Sequence, residues 1–296
     1  MASLNAVRLL ENTTREQSLS MEKLTSGKSI NRAADNAAGL AVATGMSVQI
    51  RGTEQAIQNA NDGISVVQTV DGAAEEVLSM MQRMRELSVQ SLNGTYSDNN
   101  RLQMDSEFAQ LELEINRVAT TTKFNETTLM TKFSTDGITQ ISGTPSAVNL
   151  HIGWEVGDAN KVMVSTANFG TAISGANGIL GRYTNMTGSV VSMAFDKNNI
   201  SSQATASVAI QHLDGALSQM VTQRAKWGAM QNRLESTVSN LSNVNENVRA
   251  ARSRIEDTDF ARESANLART QVLQQAGMSM LSQANQQSQQ VMSLLQ

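Results

Sequence analysis

The fold is decided by residues 210–248, which read IQHLDGALSQMVTQRAKWGAMQNRLESTVSNLSNVNENV. The residues of one stripe recur at alternating spacings of three and four, a heptad pattern that predicts a helix packed along its length against another helix. At about 1.5 Å per residue this helix is about 57 Å long, so it needs a partner of similar length. The stripe, called the C-terminal seam, consists of Ile210, Leu213, Leu217, Met220, Arg224, Trp227, Gln231, Leu234, Val238, Leu241, Asn245 and Val248.

The N-terminal third of the chain predicts that partner. A second heptad stripe, the N-terminal seam, is widened by Val70, Val77 and Met84. Residues 93–98, NGTYSD, are turn residues, and a shorter amphipathic helix with Phe108 follows them. We expect the two helices to form an antiparallel hairpin against which the C-terminal helix lies. The N-terminal seam consists of Ile57, Ala60, Ile64, Val67, Asp71, Ala74, Leu78, Met81, Arg85, Ser88 and Leu92.

Both ends of the chain predict further helices, but their apolar stripes are thin. The intervening positions are mostly Gln, Ser and Asn, as in residues 274–290, QQAGMSMLSQANQQSQQ. Such helices bury too little apolar area to offset the entropy of ordering, so we expect them to be mobile in the monomer and helical only against copies of the same chain. The stripes contain Val7, Leu10, Met21 and Leu24 at one end and Leu273, Met280, Val291 and Leu295 at the other.

Residues 131–204 differ in kind, because they are rich in Gly, Ser and Thr and hold the chain's one proline, Pro145. Here the apolar period changes from helical to alternating, which predicts strands. The alternating residues are Val148, Leu150, Ile152, Trp154 and Val156, followed after residues 157–160 by Val162, Val164 and Thr166.

The predicted fold class is mainly α: a long antiparallel helical rod, made of terminal coiled-coil helices and a rod bundle, with a small β-rich inserted outer domain. We divide the chain into five parts. They are an N-terminal helix with its connecting turn (1–48), the N-terminal rod helices (49–130), a β-rich variable surface insert (131–204), the long C-terminal rod helix (205–250) and a C-terminal helix (251–296).

Composition argues against several classes of protein. A net charge of −4 without a basic stripe argues against a nucleic-acid partner. The absence of cysteine excludes disulfides and thiolate chemistry, and no run of 18 apolar residues predicts a membrane span. The N-terminus has no cleavable signal peptide, so export would need another route.

No catalytic or cofactor site is predicted. His151 and His212 lack convergent partners, and we interpret both as solvated or satisfied histidines. The string SGKS at 26–29 lacks the first glycine of a phosphate-binding loop and is better explained as a helix exit at Gly27. Acidic groups such as Glu256, Asp257 and Asp259 are expected on an exposed helix face in ion pairs with nearby arginines. We therefore predict a chain that is not an enzyme.

Five segments resemble the bacterial flagellin family, in the order that the helical pattern requires. They are residues 24–40, LTSGKSINRAADNAAGL; 59–68, NANDGISVVQ; 82–90, QRMRELSVQ; 251–260, ARSRIEDTDF; and 271–296, QVLQQAGMSMLSQANQQSQQVMSLLQ. The resemblance covers roughly residues 1–130 and 205–296 and leaves the insert unmatched. In this family the outer region varies.

The resemblance implies an extracellular subunit that polymerises into the flagellar filament. Its terminal helices would pair into an inner tube, the rod helices would form the next shell, and the insert would face outward. It also implies export through the flagellar type III apparatus, a chaperone that binds the C-terminal segment, and contact with filament cap and hook junction proteins. One departure is that the N-terminus is several residues shorter than in most members, which puts the innermost packing of that helix in question.

The resemblance further implies recognition by a Toll-like receptor of animal hosts. The receptor-binding residues of responsive members match Arg83, Leu87 and Glu107, which are expected to be buried by packing inside a filament. Ser and Thr of the insert fit O-glycosylation and solvent-facing turns equally well.

Three other interpretations remain at this stage. A hook-associated junction protein would share the terminal helices but act in few copies. A coiled-coil adhesin that never polymerises would leave the thin terminal stripes unexplained. An enzyme domain within residues 131–204 would need a convergent site that the sequence does not contain.

Overall fold

The computed structural model describes residues 2–130, 147–165, 182–184, 190–192 and 199–294. Long helices dominate, which confirms a mainly α fold with a small β-rich part. The helices are α1 (Ala2–Ser26), α2 (Ala37–Leu92), α3 (Asp98–Thr121), α4 (Gln203–Glu256) and α5 (Phe260–Leu294). The strands pair as antiparallel hairpins: β1 (Lys123–Phe124) with β2 (Thr127–Thr128), β3 (Ala147–His151) with β4 (Lys161–Ser165), and β5 (Arg182–Thr184) with β6 (Val190–Ser192).

The chain divides into two compact units. Unit 1 contains Met1–Gly52 and Asn243–Gln296, and unit 2 contains Thr53–Ser242. Part of the expected insert, including Pro145 and Thr166, lies outside the described residues, as do most of the Ser and Thr residues considered for glycosylation.

In unit 2, α2 and α4 run antiparallel, because partners later on α4 lie earlier on α2. Asp214 pairs with Arg85 at 2.6 Å, and Arg224, about three turns further along α4, pairs with Asp71 at 2.6 Å. Four residues of the C-terminal seam, spaced seven apart, are at most 2% exposed: Leu213, Met220, Trp227 and Leu234. The seam residues that lie half-buried beside them are Ile210, Leu217, Val238 and Leu241.

Small and medium side chains on α2 let the helices approach closely. Ala60, Val67, Ala74 and Met81 of the N-terminal seam are buried, and so are the residues expected to widen it, Val70, Val77 and Met84. Hairpin β3–β4 also packs on α2, where a Cβ on Gly63 would lie 2.2 Å from Leu150 Cδ1. A larger residue at this position would force the Leu150 side chain to move, so glycine permits the close approach of the hairpin.

Strand β3 is shorter than the alternation predicts. It ends at His151, so Ile152, Trp154 and Val156 lie in the loop before β4 and the expected strand assignment for them is wrong. The loop is held by its own hydrogen bonds: Ile152 N donates to Asn160 O at 2.8 Å, and Asn160 Nδ2 donates to Glu155 O at 2.8 Å. These bonds fold the chain back on itself, which an extended strand would not allow.

The turn between α2 and α3 lies at the predicted position and is held by a buried arginine. Ser97 caps α3 by accepting a hydrogen bond from Asn100 N, as expected for a helix N-cap. The Arg101 guanidinium donates to Ser91 O at 2.9 Å and Asn93 O at 3.1 Å, and it pairs with Asp98 at 3.1 Å. Arg101 therefore satisfies carbonyl groups at the end of α2 that have no partner within that helix.

We expect Arg101→Ala to lower the free energy of unfolding of unit 2 by about 2 kcal/mol, because it leaves the buried Ser91 carbonyl without its side-chain donor. Both tryptophans lie in unit 2, so their fluorescence during urea titration reports its unfolding. The matched control is Arg117→Ala, which removes only an exposed pair with Glu114 on α3. Equal midpoints for the two variants would contradict the role assigned to Arg101.

Candidate functional site

The candidate functional features of the described residues are exposed helix faces and the connections between helices. Among them, no three His, Cys, Asp or Glu side chains converge as metal ligands. His151 and His212 are half-buried on separate elements, and burial lowers the pKa of His212. No helix in the described ranges has the length and apolarity to cross a bilayer. The residues that deserve analysis are therefore those at the helix ends and on the exposed helix faces.

Helix α1 ends where the sequence predicts. Gly27 has φ of +71°, a left-handed conformation that favours glycine, and its N–H donates to Lys23 O at 2.9 Å. The SGKS string is thus a helix exit followed by a connection to α2. Within that connection, backbone N–H groups of Arg32 and Asn31 donate to Asp35 and hold the pKa of its carboxyl below the usual value.

A short β-bridge joins this connection to the break between α4 and α5. Ser29 N donates to Glu256 O at 2.6 Å, and Thr258 N donates to Gly27 O at 3.0 Å. The Lys28 ammonium pairs with the Glu256 carboxylate at 2.5 Å. Backbone pairing and an ion pair together fix the two connections of unit 1 to each other.

The expectation of an exposed helix face with arginine pairs is met in part by Glu256, which ends α4 and pairs with Arg252 at 3.8 Å, but it is wrong for Asp257 and Asp259. Helix α4 ends at Glu256 and α5 begins at Phe260, so Asp257 and Asp259 lie between the helices. Asp259 Oδ1 accepts hydrogen bonds from Ala261 N at 3.0 Å and Arg262 N at 3.2 Å, which makes it the N-cap of α5. An aspartate directly before Phe260 is a helix-start signal that could have predicted this break.

Within unit 1, helices α1 and α5 pack against each other. Gly27, after the end of α1, lies beside Phe260 at the start of α5, and Leu10 lies 3.3 Å from the Cβ position of Gly277. The helices are therefore antiparallel. The two ends of one chain therefore contact each other as well as offering surface to other copies, and the expected mobility of the ends in the free monomer stays a prediction.

Many apolar side chains of this helix pair remain in water. Among the expected packing residues, Val7 is 40% exposed, Met21 48%, Leu273 50% and Met280 66%. Leu10 and Leu24 are half-buried, Leu295 lies outside the described residues, and the side chain of Val291 is not described. Further exposed apolar residues of the two helices lie outside the stripes that the periodicity identified. They are Leu4, Leu9, Leu19, Val272 and Met278. These exposed apolar side chains make the helix pair a candidate interaction surface.

A second candidate surface lies on α2 and α3 in unit 2. Arg83 Nε donates to Glu107 Oε1 at 2.9 Å and Arg83 Nη1 donates to Glu86 at 3.1 Å; Arg83 and Glu107 each have 48% of the side chain exposed. The hydrogen bond that Arg83 donates to Glu107 is the main cause of the raised pKa of Arg83. Leu87 is only 1% exposed, so it belongs to the core and lies at the bottom of the cleft that Arg83 and Glu107 line.

Comparison with known proteins gives matches at both ends of the chain. A family model described as the bacterial flagellin N-terminal helical region matches residues 1–135, and its C-terminal counterpart matches residues 210–295. The chain is 39% identical to the flagellin of Halalkalibacterium halodurans over 295 residues, covering 100% of this chain and 97% of the relative. It is 38% identical to the flagellar filament 30.7 kDa core protein of Treponema maltophilum, covering 100% of this chain and 98% of that protein.

A solved structure shares the fold at lower identity. It is assigned to the flagellar hook-associated proteins of Vibrio parahaemolyticus, with a TM-score of 0.55 and 13% identity over 75% of this chain and 100% of that one. At this identity the likeness concerns the fold alone, whereas the full-length relatives and both family models identify the family. The chain belongs to the bacterial flagellin family.

Proposed function

We propose that this chain is the structural subunit of a flagellar filament and that it polymerises through α1 and α5. The observation that carries the proposal is the exposed apolar surface of this helix pair, with Met280 66% exposed and Leu4 71% exposed. Isolated side chains of this kind are ordinary, but a surface shared by two long helices needs a partner. The family consists of structural proteins, so forming the polymer is itself the function of the chain.

The arrangement in the polymer is a further part of the proposal. Val7, Leu10, Met21, Leu24, Leu273, Met280, Val291 and Leu295 pack in an inner tube, and the β-rich segment faces outward. The chain leaves the cell through the flagellar type III export apparatus, with a chaperone on the C-terminal segment, and then meets the cap and hook junction proteins. The tube assignment is supported by the apolar exposure of both terminal helices.

Weak contacts suffice for this role because they are repeated. Burial of apolar area contributes about 25 cal/mol per Å², so each of these side chains adds on the order of 1–2 kcal/mol when a neighbouring copy covers it. The polymer is then stabilised by mass action, and free subunits stay soluble at low concentration. One interface used identically by successive copies builds a helical assembly.

A junction protein of the hook is the alternative that shares this fold. It would use the same terminal surfaces in few copies per flagellum. The relatives that span the full chain are named flagellin and filament core protein, which favours the filament subunit. A coiled-coil adhesin that stays monomeric gives no account of the exposed terminal surface.

Recognition by a host Toll-like receptor is proposed at Arg83 and Glu107, with Leu87 beneath them. The exposed guanidinium and carboxylate offer polar contacts to a partner, while Leu87 supports the surface from the core. Recognition is expected for the monomer, because lateral packing in a filament would cover this face.

We expect the double variant Leu273→Asp, Met280→Asp to slow seeded filament elongation by about tenfold or more, because two carboxylates would have to be buried at each new contact. Elongation is followed by light scattering and electron microscopy. The matched control is Gln275→Asp, Ser279→Asp, which adds the same charge at exposed polar positions of α5. Equal slowing by both pairs would contradict the assignment of the apolar residues.

A chain ending at Asp257 removes α5 and should not elongate seeds at all. The truncated chain exposes the α1 surface that α5 covers, so its helicity by circular dichroism is measured alongside. Growth of hollow filaments from the truncated chain would rule out assembly through the terminal helix pair.

For receptor recognition, we expect the Arg83→Ala, Glu107→Ala double variant to reduce reporter-cell signalling by monomers by about tenfold, a typical result for a central interface arginine. Leu87 is left unchanged, because its truncation would open a cavity in the core. The control, Arg117→Ala, Glu114→Ala, removes a similar exposed pair from α3. Wild-type signalling by the Arg83→Ala, Glu107→Ala variant would contradict the assignment of these residues to the receptor site.

A further inference from the structure

A groove lies between β4 and α4 on unit 2. It has a volume of about 480 Å³, which is within the range of about 300–1,000 Å³ found for ligand sites. Met163 and Val164 line it from the strand, and Trp227 and Met230 line it from the helix. Lys226 and Arg233 also line it, and neither has an ion-pair partner among the described residues. The groove is thus apolar with two available cations.

An exposed loop with apolar side chains and a negative charge lies between β3 and β4. Its tip, residues 154–156, reads WEV. Val156 is 99% exposed and Trp154 is 46% exposed, and Glu155 between them has no ion-pair partner in the described part of the chain. None of the three lines the groove, so the tip does not fill the groove of its own chain.

We propose that the 154–156 tip of one copy docks into the β4–α4 groove of a second copy. Trp154 and Val156 pack on Met163 and Met230, the accessible apolar residues of the groove, while Glu155 meets the charges of Lys226 and Arg233. The apolar contacts contribute affinity, and the pairing of Glu155 with the two cations fixes the orientation of the tip in the groove. The inference rests on the proposed filament role and names one contact within it, separate from α1 and α5.

The geometry of this contact is heterologous. A copy uses its tip on one neighbour and its groove on another, so the two sides of the contact are different surfaces. A contact of this type does not close on itself unless the rotation between copies forms a ring, and it otherwise continues as an open helix.

The chain has no cysteine, so engineered cysteines report this contact directly. Val156→Cys and Met163→Cys chains are prepared separately, mixed, elongated from seeds and oxidised mildly, and non-reducing gels then detect disulfide-linked dimers. We expect linked dimers from the mixture and none from either chain alone. The control partner is Leu113→Cys, because Leu113 is 61% exposed and Met163 is 60% exposed.

The outcomes separate this contact from the filament role. Filaments that grow normally but link Val156→Cys no better to Met163→Cys than to Leu113→Cys would overturn the contact and leave the filament role intact. Failure of the wild-type chain to elongate seeds would overturn the filament role, and the contact with it. Linkage within the Val156→Cys chain alone would contradict a heterologous contact.

A charge exchange gives an independent readout. Glu155→Arg and Arg233→Glu are each expected to slow elongation by about threefold, the size typical of a partly exposed ion pair, and the two together are expected to restore it. Glu155→Arg combined with Lys123→Glu, at an exposed position of β1, should not restore the rate. Additive slowing in the first combination would overturn the pairing of Glu155 with Arg233.

Discussion

Heptad packing of α2 against α4 is the constraint on which the rest of unit 2 depends. Leu213, Met220, Trp227 and Leu234 recur every seventh residue and are buried, so the long helix has one side that must be covered throughout. Apolar burial of this kind is non-directional and does not by itself choose a register. The polar residues of the seams supply that choice. Asp71 and Arg224 occupy seam positions on opposite helices and form two hydrogen bonds, at 2.6 and 3.0 Å.

Such a pair contributes more to specificity than to stability. Arg224 retains 29% side-chain exposure and Asp71 38%, so solvent screens their attraction and the net gain is small. A slip of one heptad would nevertheless leave both charges against apolar neighbours, which is costly. In unit 1 a buried amide has a similar part, since Asn245 Nδ2 donates to Ile50 O at 3.2 Å. Polar seam residues thus fix the pairing that the apolar residues stabilise.

The sequence was sufficient to predict the structure where a periodic pattern extends over a long helix or a turn signal marks its end. The seams predicted α2 and α4, residues 93–98 predicted the turn before α3, and Gly27 predicted the end of α1. It was insufficient where structure depends on residues far apart in the chain. Neither the bridge of Ser29 to Glu256 nor the course of the loop after His151 follows from local pattern. Burial of Leu87 was also missed, because a heptad identifies an apolar face but not how much of it the neighbouring helices cover.

The same limit applies to the terminal helices, because periodicity locates their apolar stripes without showing what covers them. Their apolar residues are too few for a single helix, but α1 and α5 of one chain bury part of each other's stripe and leave Val7, Met21, Leu273 and Met280 in water. Incomplete burial is therefore a property of the helix pair, because each stripe has residues that the other helix does not cover. The exposed remainder of the stripe is what assembly then removes from water.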